Sequence, residues 1–526
     1  MLKQLSFLSP SYVGAFFSVF FICPSILRAQ ESDLDGILDE YHLAGMSVVT
    51  RCGDEISIEH HAGLRDIGNK LPVDSSTTYR VASISKAVVA LLAAKLAEQG
   101  VVDYDVPIGH YLEAPPFHPA HPNLDITLGH LLSHRSGIRD GSGYGDFLND
   151  TYAAIPNVPL LASVLSEGGA HYTSDMWGAS PPGDWFQYAN LNYGVAATVL
   201  ESATGIRFDL LMTEMLFAPY GLDAGFKVQD LQEIGSLAVL YRQVNGAWAP
   251  QADNHSGVMP DGVDWSQYVP GTNALGFAPQ GGLRIGARDL SILARLWSHG
   301  SAPDAEGLPL TFLGTESLGQ LLAPQWSYDG SNGNNYYGLF NQWSNGLHLA
   351  ASGWGDDSVI PELDLNPMPG HPGEAYGLIS DAYATPNGSW NCVFITNGKW
   401  DGYTSGPASA FYAVEQAVFA ALREDAMACV AAEVAEVPSI PVTVLGSPRS
   451  GDTLVQIQVG TGFQDVFEFV LRDSAGRVTS SDTVDAPDGG GRAMLHTHAL
   501  KPGIHMGTLS AQGGVMFSRF VFLVPG

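Results

Sequence analysis

Residues 81–100 read VASISKAVVALLAAKLAEQG, which places Ser83 and Lys86 three positions apart at the head of an apolar helix. Positions i and i+3 share a helix face, so the lysine amine reaches the serine oxygen. The free N–H groups of a helix N-terminus also favour a developing negative charge. A serine hydroxyl is inert at neutral pH and needs a base. A lysine of ordinary basicity loses its proton at a cost of roughly 4–5 kcal/mol at pH 7. Burial or a second cation lowers that cost. Taken alone, the spacing equally describes a polar helix start with a lysine reaching for solvent.

Two further stretches change the balance. PGDWFQYANLNY (182–193) holds Tyr188 and Asn190 just ahead of another helix, and GHPGEAYGLISDAY (370–383) carries His371 and Gly373 into a strand. In this order, S-x-x-K, Y-x-N and H-x-G resemble the serine β-lactamase and penicillin-binding-protein superfamily. The resemblance is to its class C-like branch, which includes esterases, D-amino-acid peptidases and D,D-carboxypeptidases. It covers roughly residues 33–425, with support from TTYRVASISK, DITLGHLLSHRSGI, GGLRIGARDLSILARLW and VFITNG. It implies Ser83 as nucleophile, Lys86 as its partner, and Tyr188 as the group passing protons between nucleophile and leaving group. It further implies that Asn190 donates its amide to the substrate carbonyl, and that the backbone N–H groups of Ser83 and Glu374 form an oxyanion hole. His371 stands where lysine is common. Which of Lys86 and Tyr188 takes the first proton is left open by the motifs.

The third element departs from the K-T-G form. Neutral His371 pulls less on an anion than lysine does. Pro372 has neither a hydroxyl nor a backbone N–H, and Glu374 adds negative charge beside the cleft. All three weaken recognition of the carboxylate of β-lactams and D-alanyl peptides. The expected substrates are therefore small esters, amides or peptides. The alternatives are a D,D-carboxypeptidase or β-lactamase acting on cell-wall-type substrates, and a catalytically silent penicillin-binding sensor. ASGWGDD (351–357) is a rival third element. No G-x-S-x-G elbow, H-E-x-x-H or Cys-pair zinc spacing occurs, so neither metal nor organic cofactor is expected. HPAH (118–121) reads as a surface loop, and DGSNGNN (329–335) lacks the carboxylates of a calcium loop.

Strands are expected over 45–67 and 377–398, with helical periodicity at 84–99, 126–134, 191–203 and 287–298 and one long helix over 408–426. Strands at both ends with helices between give an α+β layout: an antiparallel sheet flanked by helices, plus an all-helical region. Residues 30–430 form this hydrolase domain and 431–441 a linker. Residues 442–526 form a small all-β domain of short alternating strands and Gly-rich turns, a secretion-sorting tail, a carbohydrate- or wall-binding module or a structural appendage. Residues 1–29 read as an export signal, with Lys3, an apolar stretch and a small-residue cleavage site. The product is expected outside the cell, at its surface or in the periplasm, with no membrane span after cleavage. The chain holds 24 Lys+Arg against 54 Asp+Glu, a net charge of −30, which repels nucleic acid and anionic lipid. Cys52, Cys392 and Cys429 remain after cleavage, so at most one bridge forms within the chain, and the sequence does not select it.

Overall fold

The computed structural model of the chain describes residues 33–350, 357–360 and 367–431, together with strands between Val442 and Val524. The expected signal segment 1–29, nearly all of the 431–441 linker, and residues 351–356 of the rival third element lie outside the described residues.

β1 (Gly45–Cys52) and β2 (Glu55–Asp66) form the expected hairpin, turning at Gly53 with φ +60°. β3 (Thr78–Arg80) and β4 (Arg284–Gly286) make a separate antiparallel pair in which Arg80 faces Arg284. The main antiparallel sheet brings together both ends of the 30–430 region. Its centre runs β5 (His348–Ala350), β6 (Met368–Ala375), β7 (Leu378–Ala384), β8 (Trp390–Thr396), β1, β2. β7 and β8 are buried along their whole length because helices cover both faces. Strand alternation sorts their side chains between two cores. Val393 and Ile395 join α1 (Ile84–Glu98) in one, while Trp390, Cys392 and Phe394 join the C-terminal helices in the other.

The helical middle supplies α2 (Tyr144–Ala154), α3 (Asn190–Thr204) and α4 (Ala287–His299). α1 is buried from Ile84 to Leu96, Lys86 included, which explains why its sequence is apolar all round rather than striped. The 126–134 segment is shorter than expected, a helix of Leu128–Leu132 capped by Thr127. The single helix expected over 408–426 is two, α5 (Ala413–Ala421) and α6 (Arg423–Ala431), meeting at Leu422. Tyr412 N–H donates to Glu415 Oε2 and sets the late start of α5. HPAH is not a simple surface loop, because His118 is fully buried against Trp177.

A disulfide joins Cys52, at the end of β1, to Cys429 in α6, and Cys392 is buried and free. Beyond Val442 the described elements are all strands, in two antiparallel groups. The last, Met516–Val524, also pairs with Pro309–Thr311 through Phe520 and Thr311. No helix among the described residues is long and apolar enough to cross a membrane.

Candidate active site

Ser83 sits at the N-cap of α1 (φ −69°, ψ −11°), directly after Ala82 in the left-handed region at φ +45°. That turn carries the chain from β3 into the helix and sets Ser83 at the wall of a cleft of about 1220 Å³. Tyr188, Asn190, His371, Gly373 and Glu374 line the same cleft. Among the described residues, the structure therefore gathers all the residues singled out by the motifs, with Lys86 behind them.

Lys86 is fully buried, and its Nζ has three near neighbours: Ser83 Oγ at 3.1 Å, Asn190 Oδ1 at 2.8 Å and the Gln280 carbonyl oxygen at 2.6 Å. Burial pushes its pKa down to about 7, with nearby Asp140 opposing. A neutral amine has two N–H groups and one lone pair. Asn190 and Gln280 offer only acceptor oxygens here, so they take the two hydrogens and leave the lone pair for Ser83.

Tyr188 is held in an aromatic enclosure. Its ring stacks on Phe340 at 5.4 Å and lies 4.3 Å from the His134 ring, and its carbonyl accepts from the Tyr336 hydroxyl at 3.1 Å. Lys86 Nζ lies 4.9 Å from the ring centre. Burial drives the phenol pKa up, opposed by a hydrogen bond with the Ser83 side chain, so Tyr188 stays protonated. Its hydroxyl is 3.5 Å from His371 Nε2. His371 is fully buried, and burial together with Lys86 holds its pKa well below the usual value. The neutral ring has one N–H, and Nδ1 lies 2.5 Å from the Pro372 carbonyl, which accepts only. That contact assigns the proton to Nδ1 and leaves Nε2 as an acceptor facing the phenol.

Asn190 starts α3, and Asp140 clamps it there. The Asp140 carboxylate accepts from Asn190 N–H at 2.7 Å, Asn190 Nδ2 at 2.9 Å and Leu191 N–H at 2.9 Å. One amide hydrogen of Asn190 is thereby used, and one remains for a substrate. On the opposite wall, β6 comes so close to Ser83 that only glycine fits at position 373. A Cβ there would lie 2.6 Å from the Val81 carbonyl oxygen, 2.3 Å from Ser380 Oγ and 3.3 Å from Ser83 N. Ser380 Oγ donates to the Val81 carbonyl at 3.0 Å and pins the two segments together. The Glu374 side chain is exposed and accepts from the Tyr412 hydroxyl at 2.8 Å.

Asp140, Gln280 and His134 escaped the sequence reading. Asp140 and Gln280 reach the site from loops far along the chain, with no spacing to mark them. His134 lies inside DITLGHLLSHRSGI, and its left-handed φ of +56° is invisible in sequence. Its Nδ1 accepts from the Ala189 N–H at 3.2 Å, fixing the backbone beside Tyr188. No group of three or more His, Cys, Asp or Glu suited to a metal occurs among the described residues.

A family model described as Beta-lactamase matches residues 31–377. Penicillin-binding protein 4* of Bacillus subtilis (strain 168) is 26% identical over 186 residues, 35% of this chain and 38% of that protein. Esterase EstB of Burkholderia gladioli is 29% identical over 211 residues, 38% of this chain and 52% of that protein. The chain thus spans about half or less of the length of these two relatives. A solved D-amino acid amidase from Ochrobactrum anthropi SV3, in complex with L-phenylalanine amide, shares the fold. Its TM-score is 0.52 at 19% identity, over 77% of this chain and 99% of that one.

Proposed function

The chain belongs to the Beta-lactamase family, and from that premise we propose that it cleaves esters or amides through an acyl intermediate on Ser83. The observation that carries this is the three-way coordination of Lys86, which leaves a buried amine with its lone pair on the Ser83 hydroxyl. In the first half-reaction Lys86 takes the Ser83 proton as Oγ bonds to the substrate carbonyl carbon. The oxygen that becomes negative sits between the backbone N–H groups of Ser83 and Glu374, with the spare Asn190 hydrogen alongside. The bond to the leaving group then breaks, and Tyr188 gives that group a proton, recovered from the Lys86 ammonium. Water repeats the sequence in reverse: it loses a proton, attacks the acyl carbon and releases Ser83 with its hydrogen restored.

Substrate preference follows from β6. Pro372, next to His371, offers neither a hydroxyl nor a backbone N–H, so a leaving group bearing a carboxylate finds no donor there. This favours ester or amide cleavage over D,D-carboxypeptidase or β-lactamase work. We extend the reading to an exported enzyme, cleaved after residue 29, whose β-rich C-terminal region directs sorting or surface attachment.

Purified enzyme should turn over p-nitrophenyl butyrate faster than nitrocefin or a D-alanyl-D-alanine peptide. Ser83→Ala should lower ester turnover by several orders of magnitude with its melting temperature unchanged. Nitrocefin turnover far above ester turnover would reverse the ranking, and absence of turnover on all three would favour the silent sensor.

A further inference from the structure

Arg80 and Arg284 both line the cleft, and they share one counter-ion. Arg80 grips Asp253 through Nε at 3.0 Å and Nη2 at 3.1 Å, and Arg284 Nη2 reaches the same carboxylate at 2.7 Å. Their side chains are 16% and 8% exposed, and that of Asp253 is 2% exposed. Burial works against ionisation of Asp253, and the two guanidiniums overcome it, pulling its pKa down to about 2. Among the described residues neither arginine pairs with another acid, so two cations face one anion. The remaining donors are not all used. Arg284 Nη1 serves the carbonyls of Phe226 and Gly282, but its buried Nε–H has no partner. Arg80 Nη1 makes no hydrogen bond to any described residue. A surplus buried positive charge is costly unless something negative joins it, and paired guanidiniums with free N–H groups suit a carboxylate.

The two ends of the cleft can be told apart. β6 runs from His371, beside the Tyr188 hydroxyl, to Ala375, and the next residue, Tyr376, has its ring 5.4 Å from the Arg80 guanidinium carbon. A leaving group must depart where Tyr188 can protonate it, at the His371 end. The acyl group then extends the other way, towards Tyr376 and the arginines. We propose that the cleft accepts acyl groups ending in a carboxylate, which Arg80 and Arg284 neutralise. This rests on the reading above for which end is which, and it makes Arg80 and Arg284 specificity residues that take no part in bond making.

The test uses the full-length Ser83→Ala protein and calorimetric titration, so that no turnover is needed. Glutaranilic acid, with its carboxylate on the acyl side, should bind at least about ten-fold tighter than its methyl ester, the worth of one hydrogen bond to a charged group. A third ligand keeps the methyl ester on the acyl side and carries a carboxylate on the aniline ring. It should gain nothing over the plain methyl ester. Arg284→Met should bring the acid-to-ester affinity ratio close to one, and a ratio unchanged in the folded variant overturns the proposal. If that variant fails to fold, the three-ligand comparison on the parent protein decides alone. Equal affinities for acid and methyl ester, or tighter binding when the charge sits on the aniline ring, overturns the proposal. Failure of the serine-hydrolase reading is seen separately, as absence of Ser83-dependent turnover in the wild-type enzyme.

Discussion

Lys86 has the charge state of its surroundings rather than that of a lysine in water. Its pKa of about 7 arises from burial, with Asp140 opposing, and this has two consequences. As the proposed base it works only when neutral, so kcat/KM should rise with pH and level off above about 7. For stability, the unfolded chain binds this proton up to about pH 10.4, whereas the folded chain releases it near 7. Lys86 therefore lowers stability most below pH 7, and stability recovers as pH rises between the two values. Lys86→Met should abolish turnover yet melt higher than wild type at pH 6, with the gap closing by about pH 10, as differential scanning calorimetry would record. A gap that is flat in pH would mean that Lys86 is charged in the folded protein at pH 7. That Ser83, Lys86, Tyr188, Asn190 and His371 come together was legible in the sequence because each lies in a short motif of fixed spacing. The motifs do not choose between Lys86 and Tyr188 as base; the proposed assignment to Lys86 rests on burial, which lowers the pKa of the amine and raises that of the phenol.

Between elements, the clearest dependence is that of α3 on Asp140. This carboxylate stands fifty residues before Asn190 and caps the first turn of α3 from another loop. Asp140→Ala should cost roughly 1–2 kcal/mol in urea unfolding, as for the loss of a strong cap. The same change removes the charge that opposes burial at Lys86, so the rising limb of the pH–rate profile should move to lower pH. A loss of stability with an unmoved limb would separate Asp140 from the base. Helix positions were readable where a long apolar run, as in α1, or a clear apolar stripe, as in α4, marks them. They failed at 408–426, where the pattern continues through Leu422 although the helix does not, and at 126–134, where only one capped turn forms. The hairpin of Leu240–Val244 and Ala247–Ala252 went unread because YRQV and WAPQA carry too little apolar alternation.

At the scale of the molecule, the α+β class was legible because strands lie at both ends of the hydrolase region and helices between them. The sheet closes that circuit where β1 pairs with β8, Val48 opposite Phe394. Choosing Cys429 as the partner of Cys52 needed the fold, since only the packing of α6 against β8 brings the two together across a sequence separation of 377. The same closure holds β6 against the head of α1, so the site exists only once the distant parts have met. The most direct test of the central claim is to treat the enzyme with a fluorophosphonate probe across pH 5–9 and map the adduct by peptide mass spectrometry. The account predicts one adduct, on Ser83, forming faster as pH rises through about 7 and absent in Lys86→Met. An adduct on another residue, or labelling of Ser83 that is unchanged in Lys86→Met, would contradict it.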